Sequence, residues 1–453
     1  MKKKIGLVGS ILMGIGCIVG SGIFGTLPSV ASDVGTGVIW ALLGAAVVVV
    51  LRSISRMYTS AALPSSAATF MYATKLYHPL VGAFISFSYV LMPTMVSLFG
   101  VLFAMYFEPL FPGLGISSTM ISVILLLVFT GIAWFGNKST VGISNIMVVL
   151  LLVAIALYVF LGLPNLDSDN ISFMSVIKPG IRLSGIAAAI GVLTSSLSGA
   201  SSVAEIADDI DNPGRNVPIA LILCPVVVAV IYILMAIVTV GVIPSSQVES
   251  LSQVAEHFMA PALLKFFIIG GPIAGIITSL VPVALACVAM FDYSAKMKVF
   301  PEILSKENKH GVPYISLFLV SGIAIAICAT GATFGVIMTV FSFVNTLSEL
   351  PNTLSPIFAH KKYPKSCDNS SVRMSSRLAN VLAVITFVIC IYLCVQMAMT
   401  LDVKAVIGIF LVFIIGYVYL FFRIRFLKRK GVDLIKDMKE PYEPWEEREN
   451  SFK

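Results

Sequence analysis

Runs of glycine and serine interrupt two of the apolar stretches of this chain. The first stretch, residues 5–31, has five glycines within 14–25, and the sixth, 184–207, contains the run Thr-Ser-Ser-Leu-Ser-Gly-Ala-Ser-Ser at 194–202. Small residues let a membrane helix unwind, and unwound backbone persists in a bilayer only where it is buried or lines a cavity. The free N–H and C=O groups of such backbone could bind a ligand. The alternative is close helix packing through small residues.

Carboxylates inside apolar stretches are the other candidates for chemistry. Glu349 lies in a stretch that begins at Gly335, so it is about 21 Å along a helix and beyond the middle of the hydrocarbon core. An isolated carboxylate is costly there, so we expect Glu349 to be protonated, paired or exposed to water. One interpretation is a site for proton coupling or for a substrate ammonium group. The other is a neutral glutamic acid that is hydrogen-bonded to Asn345 or Asn352.

Two further acids, Glu205 and Asp209, lie near the end of the sixth stretch. We expect Glu205 to pair with a basic residue at an inner gate, and Asp209 to belong to a gate latch, with helix capping as the alternative. The four histidines have no partner at metal-ligand spacing, and the seven cysteines form no Cys-x-x-Cys pair. We therefore predict no metal site, no cofactor and no enzyme activity.

The composition indicates which elements position these groups. The chain has 453 residues, of which 58% are hydrophobic and 12% are charged, about half the charged fraction of soluble proteins. Long, continuous apolar runs favour membrane-spanning helices over a β-barrel. We predict an all-α polytopic membrane protein with twelve spans, numbered 1 to 12, near residues 5–31, 36–60, 80–107, 118–136, 141–163, 184–207, 217–243, 264–292, 314–333, 335–359, 378–399 and 404–424.

The net charge of +7 follows the predicted topology. All basic residues except Lys178, Arg182, Lys265 and Lys404 fall on the same side of the spans as the N-terminus. The positive-inside rule therefore places both termini in the cytoplasm, in a multi-pass protein of the plasma membrane. Because topology accounts for the charge, no nucleic-acid partner is predicted, and the lipid bilayer is the expected surrounding.

The interrupted spans, 1 and 6, occupy corresponding positions in two halves of five spans. This arrangement is typical of transporters built from inverted repeats with a binding site at the membrane midplane. We predict a first repeat at residues 1–163, a second at 164–359, two further spans at 360–424 and a cytoplasmic tail at 425–453.

Three motifs resemble those of the amino acid/polyamine/organocation (APC) superfamily of permeases. They are Gly-Ser-Gly-Ile-Phe at 20–24, the segment 64–84, and the segment 199–220 with its acidic pair and Asn-Pro-Gly-Arg-Asn-Val-Pro-Ile-Ala ending. The sequence of residues 215–220 is most similar to that of the basic amino acid/polyamine antiporter branch. The resemblance implies a LeuT-type fold, a 5+5 inverted repeat with helices 1 and 6 broken.

A broken first helix would place free amides of Ser21, Gly22 and Ile23 where they bind the α-carboxylate of an amino acid. Carbonyl groups around 195–198 would accept from the α-ammonium group. By register with the family, Met92, Pro93 and Ser97 of span 3 face the substrate side chain.

Some positions depart from the family pattern. Ala200 replaces the aromatic residue that closes over substrate, and Ser201 stands at a position that is often acidic. These departures, and the absence of a tryptophan in spans 6 and 8, disfavour arginine-like substrates. The predicted substrate-binding residues are Ile18, Gly20, Ser21, Gly22, Ile23, Met92, Pro93, Ser97, Ser195, Ser196, Ser198, Gly199, Ala200 and Ser201.

The predicted function is secondary active transport of amino acids or related amines by alternating access. The permease would act as an antiporter or as a proton-coupled symporter, and as a monomer or a homodimer. The alternative is a membrane sensor that binds an amino acid without moving it.

Overall fold

The computed structural model of the protein describes residues 5–19, 22–65, 68–111, 113, 115–135, 141–167, 170, 183–200, 203–204, 210–439 and 444–451. Regular structure within these ranges is helical, apart from two isolated bridges that join Ile5 to Ile210 and Glu307 to Pro313. The prediction of an all-α protein is confirmed.

Helices occupy all twelve predicted positions, and we keep the span numbers for them. In chain order they are Leu7–Val19 with Gly22–Val34, Gly37–Ala62, Pro79–Ser88 with Pro93–Phe107, Ser118–Ala133, Val141–Gly162, Leu183–Leu197, Pro213–Val242, Pro261–Ile268 with Ala274–Lys296, Tyr314–Ala329, Phe334–Thr353 with Ser355–Lys362, Ser376–Thr400, and Val403–Arg429. Among the described residues, 9 helices are long and apolar enough to cross a bilayer, the bent pair of span 1 brings the number to 10, and spans 4 and 9 are shorter. A polytopic membrane protein is confirmed, whereas the count of twelve crossings stays a prediction.

Shorter helices lie at the end of the bundle that is predicted to be cytoplasmic. After span 2, the helix Ala68–Tyr72 continues into a π-helical turn, Ala73–Tyr77. A short helix, Pro364–Asp368, follows span 10, and the chain ends in the helices Leu434–Asp437 and Pro444–Ser451.

Span 1 consists of two helices whose axes differ by 44°. The first ends at Val19 and the second begins at Gly22, with residues 20–21 outside the described part of the chain. A helix that ends inside a bundle leaves its last carbonyl groups and its successor's first N–H groups without intrahelical partners. The bend lies at the glycine run, and the broken helix predicted there stays a prediction.

Span 6 changes character where it meets span 1. Its α-helix ends at Leu197 and is followed by a 3₁₀ turn at Ser198–Ala200. A Cβ atom at Gly199 would lie 2.4 Å from the carbonyl oxygen of Cys17 and 2.9 Å from the amide nitrogen of Ile18. The glycine therefore lets the backbones of spans 1 and 6 touch. Close packing through a small residue thus occurs next to the bend in span 1.

Buried hydroxyl groups tie neighbouring spans to both halves of span 1. The hydroxyl group of Tyr232 in span 7 donates to the carbonyl oxygen of Ile18 at 2.9 Å. On the other side of the break, the hydroxyl group of Tyr106 in span 3 donates to the carbonyl oxygen of Phe24, also at 2.9 Å. Both tyrosines are fully buried. These bonds satisfy backbone acceptors and fix the two helices relative to spans 3 and 7.

The outer surface of the bundle is apolar. Phe160, Met399 and Ile415 are 73%, 74% and 63% exposed in the isolated chain. Large exposed apolar surface on a protein of this composition marks contact with lipid. The polar groups described below lie inside the bundle instead.

Candidate functional site

An apolar cavity of about 80 Å³ lies beside the break in span 1. Spans 1, 3, 6, 8 and 10 all contribute to it. The described residues that line it are Cys17, Ile18, Gly22, Met95, Leu98, Phe99, Leu102, Ser195, Ser196, Gly199, Ser279, Val283, Phe334, Met338 and Phe341. Five predicted substrate-binding residues meet here, namely Ile18, Gly22, Ser195, Ser196 and Gly199.

Gly22 leaves room at the start of the second helix of span 1. A Cβ atom placed on Gly22 would have no other atom within 4 Å, because the space beside it belongs to the cavity. The helix Gly22–Val34 begins at this point, so its first N–H groups lack intrahelical acceptors and carry the positive end of the helix dipole. An anionic group in the cavity can therefore approach these amides without meeting a side chain at residue 22.

The serines of span 6 offer a ligand their backbone carbonyl groups rather than their hydroxyl groups. The hydroxyl group of Ser196 donates to that of Thr26 at 3.2 Å, and Thr26 in turn donates to the carbonyl oxygen of Gly22 at 2.7 Å. The hydroxyl group of Ser195 lies 3.5 Å from the carbonyl oxygen of Ser342 in span 10. These hydroxyls already bridge spans. Span 6 can therefore offer a ligand the carbonyl groups of its last helical turn. Carbonyl oxygens are suitable acceptors for an ammonium group.

Apolar side chains form the remaining wall of the cavity. Met95, Leu98, Phe99 and Leu102 follow the i, i+3, i+4, i+7 pattern of one helix face in span 3. None of the described lining residues carries a charge. The cavity is thus suited to a ligand with polar groups at one end, facing backbone, and an uncharged apolar body.

Span 10 supplies three further side chains that the sequence analysis did not identify. Phe334, Met338 and Phe341 line the cavity at i, i+4, i+7 spacing. The ring of Phe334 lies so close to span 1 that a Cβ atom on Gly25 would be 2.4 Å from it. This aromatic spacing was visible in the sequence, but nothing there indicated which span it would face.

The predicted face of span 3 differs from the one that lines the cavity. Met92, Pro93 and Ser97 are buried but are absent from its described lining. The hydroxyl group of Ser97 donates to the carbonyl oxygen of Thr94 at 2.7 Å within its own helix. The cavity faces Met95, Leu98, Phe99 and Leu102, whereas Pro93 and Ser97 lie on the opposite side of the helix and Met92 immediately precedes it.

A second, polar cavity of about 40 Å³ lies on the other side of the 3₁₀ turn of span 6. Ser198 and Ala200 line this polar cavity, whereas Gly199 between them lines the apolar one. Arg52 and Glu349 also line it. The turn therefore separates an apolar compartment from a charged one.

Glu349 forms an ion pair across this polar cavity. Both carboxylate oxygens lie 3.2 Å from Nη2 of Arg56, and Nη2 of Arg52 lies 4.0 Å from Oε2. The side chains of Arg52 and Arg56 are only 9% and 7% exposed, and that of Glu349 is 18% exposed. Of the states considered from sequence, pairing is the one observed. Asn352 lines the same cavity, and its side-chain amide has no hydrogen-bond partner among the described residues.

The remaining predicted site residues divide into two groups. Ile23 is fully buried but is absent from the described lining of either cavity. Gly20, Ser21, Ser201, Glu205 and Asp209 lie outside the described residues. Within the described part of the chain, no group of three or more His, Cys, Asp or Glu side chains could hold a metal ion.

The chain is similar in sequence to known proteins. The family described as "Amino acid permease" matches residues 9–431. The chain belongs to the amino acid permease family. The superfamily assignment from the three motifs is therefore confirmed, and with it the LeuT-type fold class. Proteins of this family are transporters rather than enzymes, and the family description implies that the substrate is a small molecule of the amino acid class.

Curated relatives of the permease are transporters with different substrates. It is 23% identical over 343 residues to the branched-chain amino acid permease BcaP of Bacillus subtilis, covering 70% of this chain and 72% of the relative. It is 23% identical over 379 residues to the methylthioribose transporter of the same organism, covering 78% and 80%. It is 27% identical over 261 residues to the aspartate-proton symporter, covering 55% and 49%. These relatives do not test the narrower assignment to the basic amino acid/polyamine antiporter branch, which stays a prediction.

Proposed function

We propose that this permease moves amino acids with uncharged, apolar side chains across the plasma membrane by alternating access. The observation that carries the proposal is the apolar cavity beside the break in span 1, where polar backbone meets a wall without charged side chains among its described residues. A zwitterion satisfies both surfaces, because its carboxylate and ammonium groups face backbone and its side chain faces apolar residues.

In this proposal the carboxylate binds the first amides of the helix Gly22–Val34, and Gly20 and Ser21 belong to the same binding site. The ammonium group binds carbonyl groups at the end of the α-helix of span 6. The carbonyl oxygens of Ser195 and Ser196 are the suited acceptors, because that of Thr194 already accepts from the hydroxyl group of Ser198 at 2.6 Å. Aliphatic, thioether or aromatic side chains then occupy the space between spans 3 and 10.

The ion pair of Arg56 with Glu349 is proposed to close the inner gate. It joins span 2 to span 10 directly behind the 3₁₀ turn of span 6. Alternating access requires these spans to separate, so the pair must break or exchange partners in each cycle. Glu205 and Asp209 are proposed to provide such partners at the end of span 6. Protonation of Glu349 would give proton symport, whereas exchange without protonation would give antiport.

The topological predictions are part of the same proposal. Residues 1–163 and 164–359 form the inverted repeats, 360–424 the last two spans, and both termini face the cytoplasm. The basic side chains at that end of the bundle support this orientation. The permease acts as a monomer or a homodimer.

Counterflow in proteoliposomes tests the proposal. Vesicles containing purified permease are loaded with unlabelled amino acid, and uptake of labelled leucine, methionine, phenylalanine, lysine and putrescine is compared. We expect the first three to exchange and the two cations to be excluded, because the described cavity wall has no carboxylate for a cationic chain. Preference for lysine or putrescine would contradict the substrate class. Binding of leucine without any flux would favour the sensor.

A further inference from the structure

The C-terminal helix buries its tryptophan in the end of the bundle that is predicted to be cytoplasmic. Trp445 is 2% exposed and belongs to an apolar cluster with Tyr58 of span 2, Leu63 just after it and Leu76 of the π-helical turn. Its ring lies 4.7 Å from that of Tyr363, at 82° between the planes. Residues 444–451 of the predicted cytoplasmic tail are therefore a docked segment.

Charged groups on the docked segment match groups on the bundle. The carboxylate of Glu446 lies 2.9 and 3.0 Å from Nζ of Lys75, whose side chain is 5% exposed. Burial would raise the pKa of the Glu449 carboxyl, but hydrogen bonds from Ser366 and Lys365 lower it below its usual range. The backbone N–H groups of Lys365 and Ser366 donate to Glu449 at 3.1 and 2.6 Å. The site therefore recognises an acidic segment with one indole ring.

The surface that receives this segment is built from the elements that hold the proposed inner gate. Tyr77, at the end of the π-helical turn, donates to the carbonyl oxygen of Pro351 in span 10. Nζ of Lys362, at the end of span 10, donates to the carbonyl oxygen of Lys75 at 2.9 Å. Nη2 of Arg56, the gate residue, is 2.6 Å from the hydroxyl group of Thr69 in the adjoining helix. A segment bound here therefore contacts both sides of the gate.

The docked segment can also be released. The indole N–H of Trp445 has no hydrogen-bond partner among the described residues, and leaving such a group unpaired on burial opposes docking. Release would expose Lys75 to water. Its charge would then be solvated, so release would not leave a buried charge without a partner. Docking is therefore a balance of apolar burial and ion pairing against these costs.

We propose that residues 444–451 are a releasable ligand of this cytoplasmic docking site, and that their binding holds spans 2 and 10 together and slows opening of the inner gate. The gating part of this inference rests on the proposed transport function, whereas the docking part does not.

Docking is tested first without any transport assay. In a variant with Trp40→Phe and Trp134→Phe, Trp445 is the remaining tryptophan, and acrylamide quenching of its fluorescence reports its exposure. We expect strong shielding in this full-length protein and loss of shielding in Lys75→Glu, with recovery in the double variant Lys75→Glu/Glu446→Lys. A fully quenched Trp445 in the parent protein would overturn the docking site.

Gating is tested by exchange kinetics of Trp445→Ala. Loss of the buried indole is expected to weaken docking about 30-fold, so the maximal exchange rate should rise several-fold while KM stays unchanged. A synthetic peptide of residues 440–453, supplied on the cytoplasmic side, should slow this variant again, and the same peptide with Trp445→Ala should not.

The outcomes separate the two claims. Equal exchange rates in the parent and Trp445→Ala, or slowing by both peptides, would overturn the gating role. A shielded Trp445 in a protein that exchanges none of the five tested solutes would instead contradict the proposed function and leave the docking site supported.

Discussion

Neutralising Glu349 should reveal how strongly the proposed inner gate holds the bundle together. Glu349→Gln leaves Arg52 and Arg56, 9% and 7% exposed, without their carboxylate partner. Removing one member of a buried ion pair costs about 3–5 kcal/mol. Glu349 is 18% exposed, and a glutamine amide can still accept from Arg56, so we expect the lower end of that range.

A double-mutant cycle in unfolding assays of the purified permease measures this pair. We expect Arg56→Gln/Glu349→Gln to be more stable than the sum of the single variants predicts, with a coupling free energy of about 1–3 kcal/mol. Additive single effects would refute the pairing. The same variants separate the coupling modes, because a Glu349→Gln permease that retains the full pH dependence of transport cannot couple protons through this carboxylate.

Three further substitutions test the surroundings of the cavity. Gly199→Ala should destabilise the permease by about 1–3 kcal/mol, because the new Cβ atom meets the backbone of Cys17; unchanged thermal stability would contradict the close approach. Tyr232→Phe should cost about 1–3 kcal/mol by leaving the buried carbonyl oxygen of Ile18 without its donor, and unfolding at equal denaturant concentration would disprove that bond. Phe341→Ala should enlarge the cavity and shift competition towards larger apolar amino acids by about tenfold or more, whereas an unchanged inhibition series would remove Phe341 from the site.

The fold class, and the spans that meet at the candidate site, could be predicted because each depends on local patterns. Apolar runs of sufficient length indicate spans, and glycine density indicates where a span can bend. Ile18, Gly22, Ser195 and Ser196 meet at one cavity because the two interrupted spans lie against each other at Gly199. This proximity was expected because spans 1 and 6 were predicted to occupy corresponding positions in two inverted repeats.

Pairings between distant segments could not be predicted in the same way. Glu349 was conspicuous in the sequence, yet its contact with Arg56 depends on how spans 2 and 10 are packed. The predicted face of span 3 differs from the face that lines the cavity, because an apolar helix has no polar face that would fix its rotation. Trp445 lies in a polar tail, and its burial depends on a groove formed by segments far away in the chain.

The central claim is that substrate occupies the cavity beside Gly22, and one matched pair of variants tests it most directly. Gly22→Val places a branched side chain in the open space next to the first amides of the second helix of span 1. Gly322→Val places the same side chain on an exposed face of span 9, where a Cβ atom also meets nothing within 4 Å. Leucine counterflow is measured at equal amounts of folded protein. We expect Gly22→Val to abolish exchange and Gly322→Val to preserve it; a Gly22→Val permease that exchanges leucine normally would contradict substrate binding in this cavity.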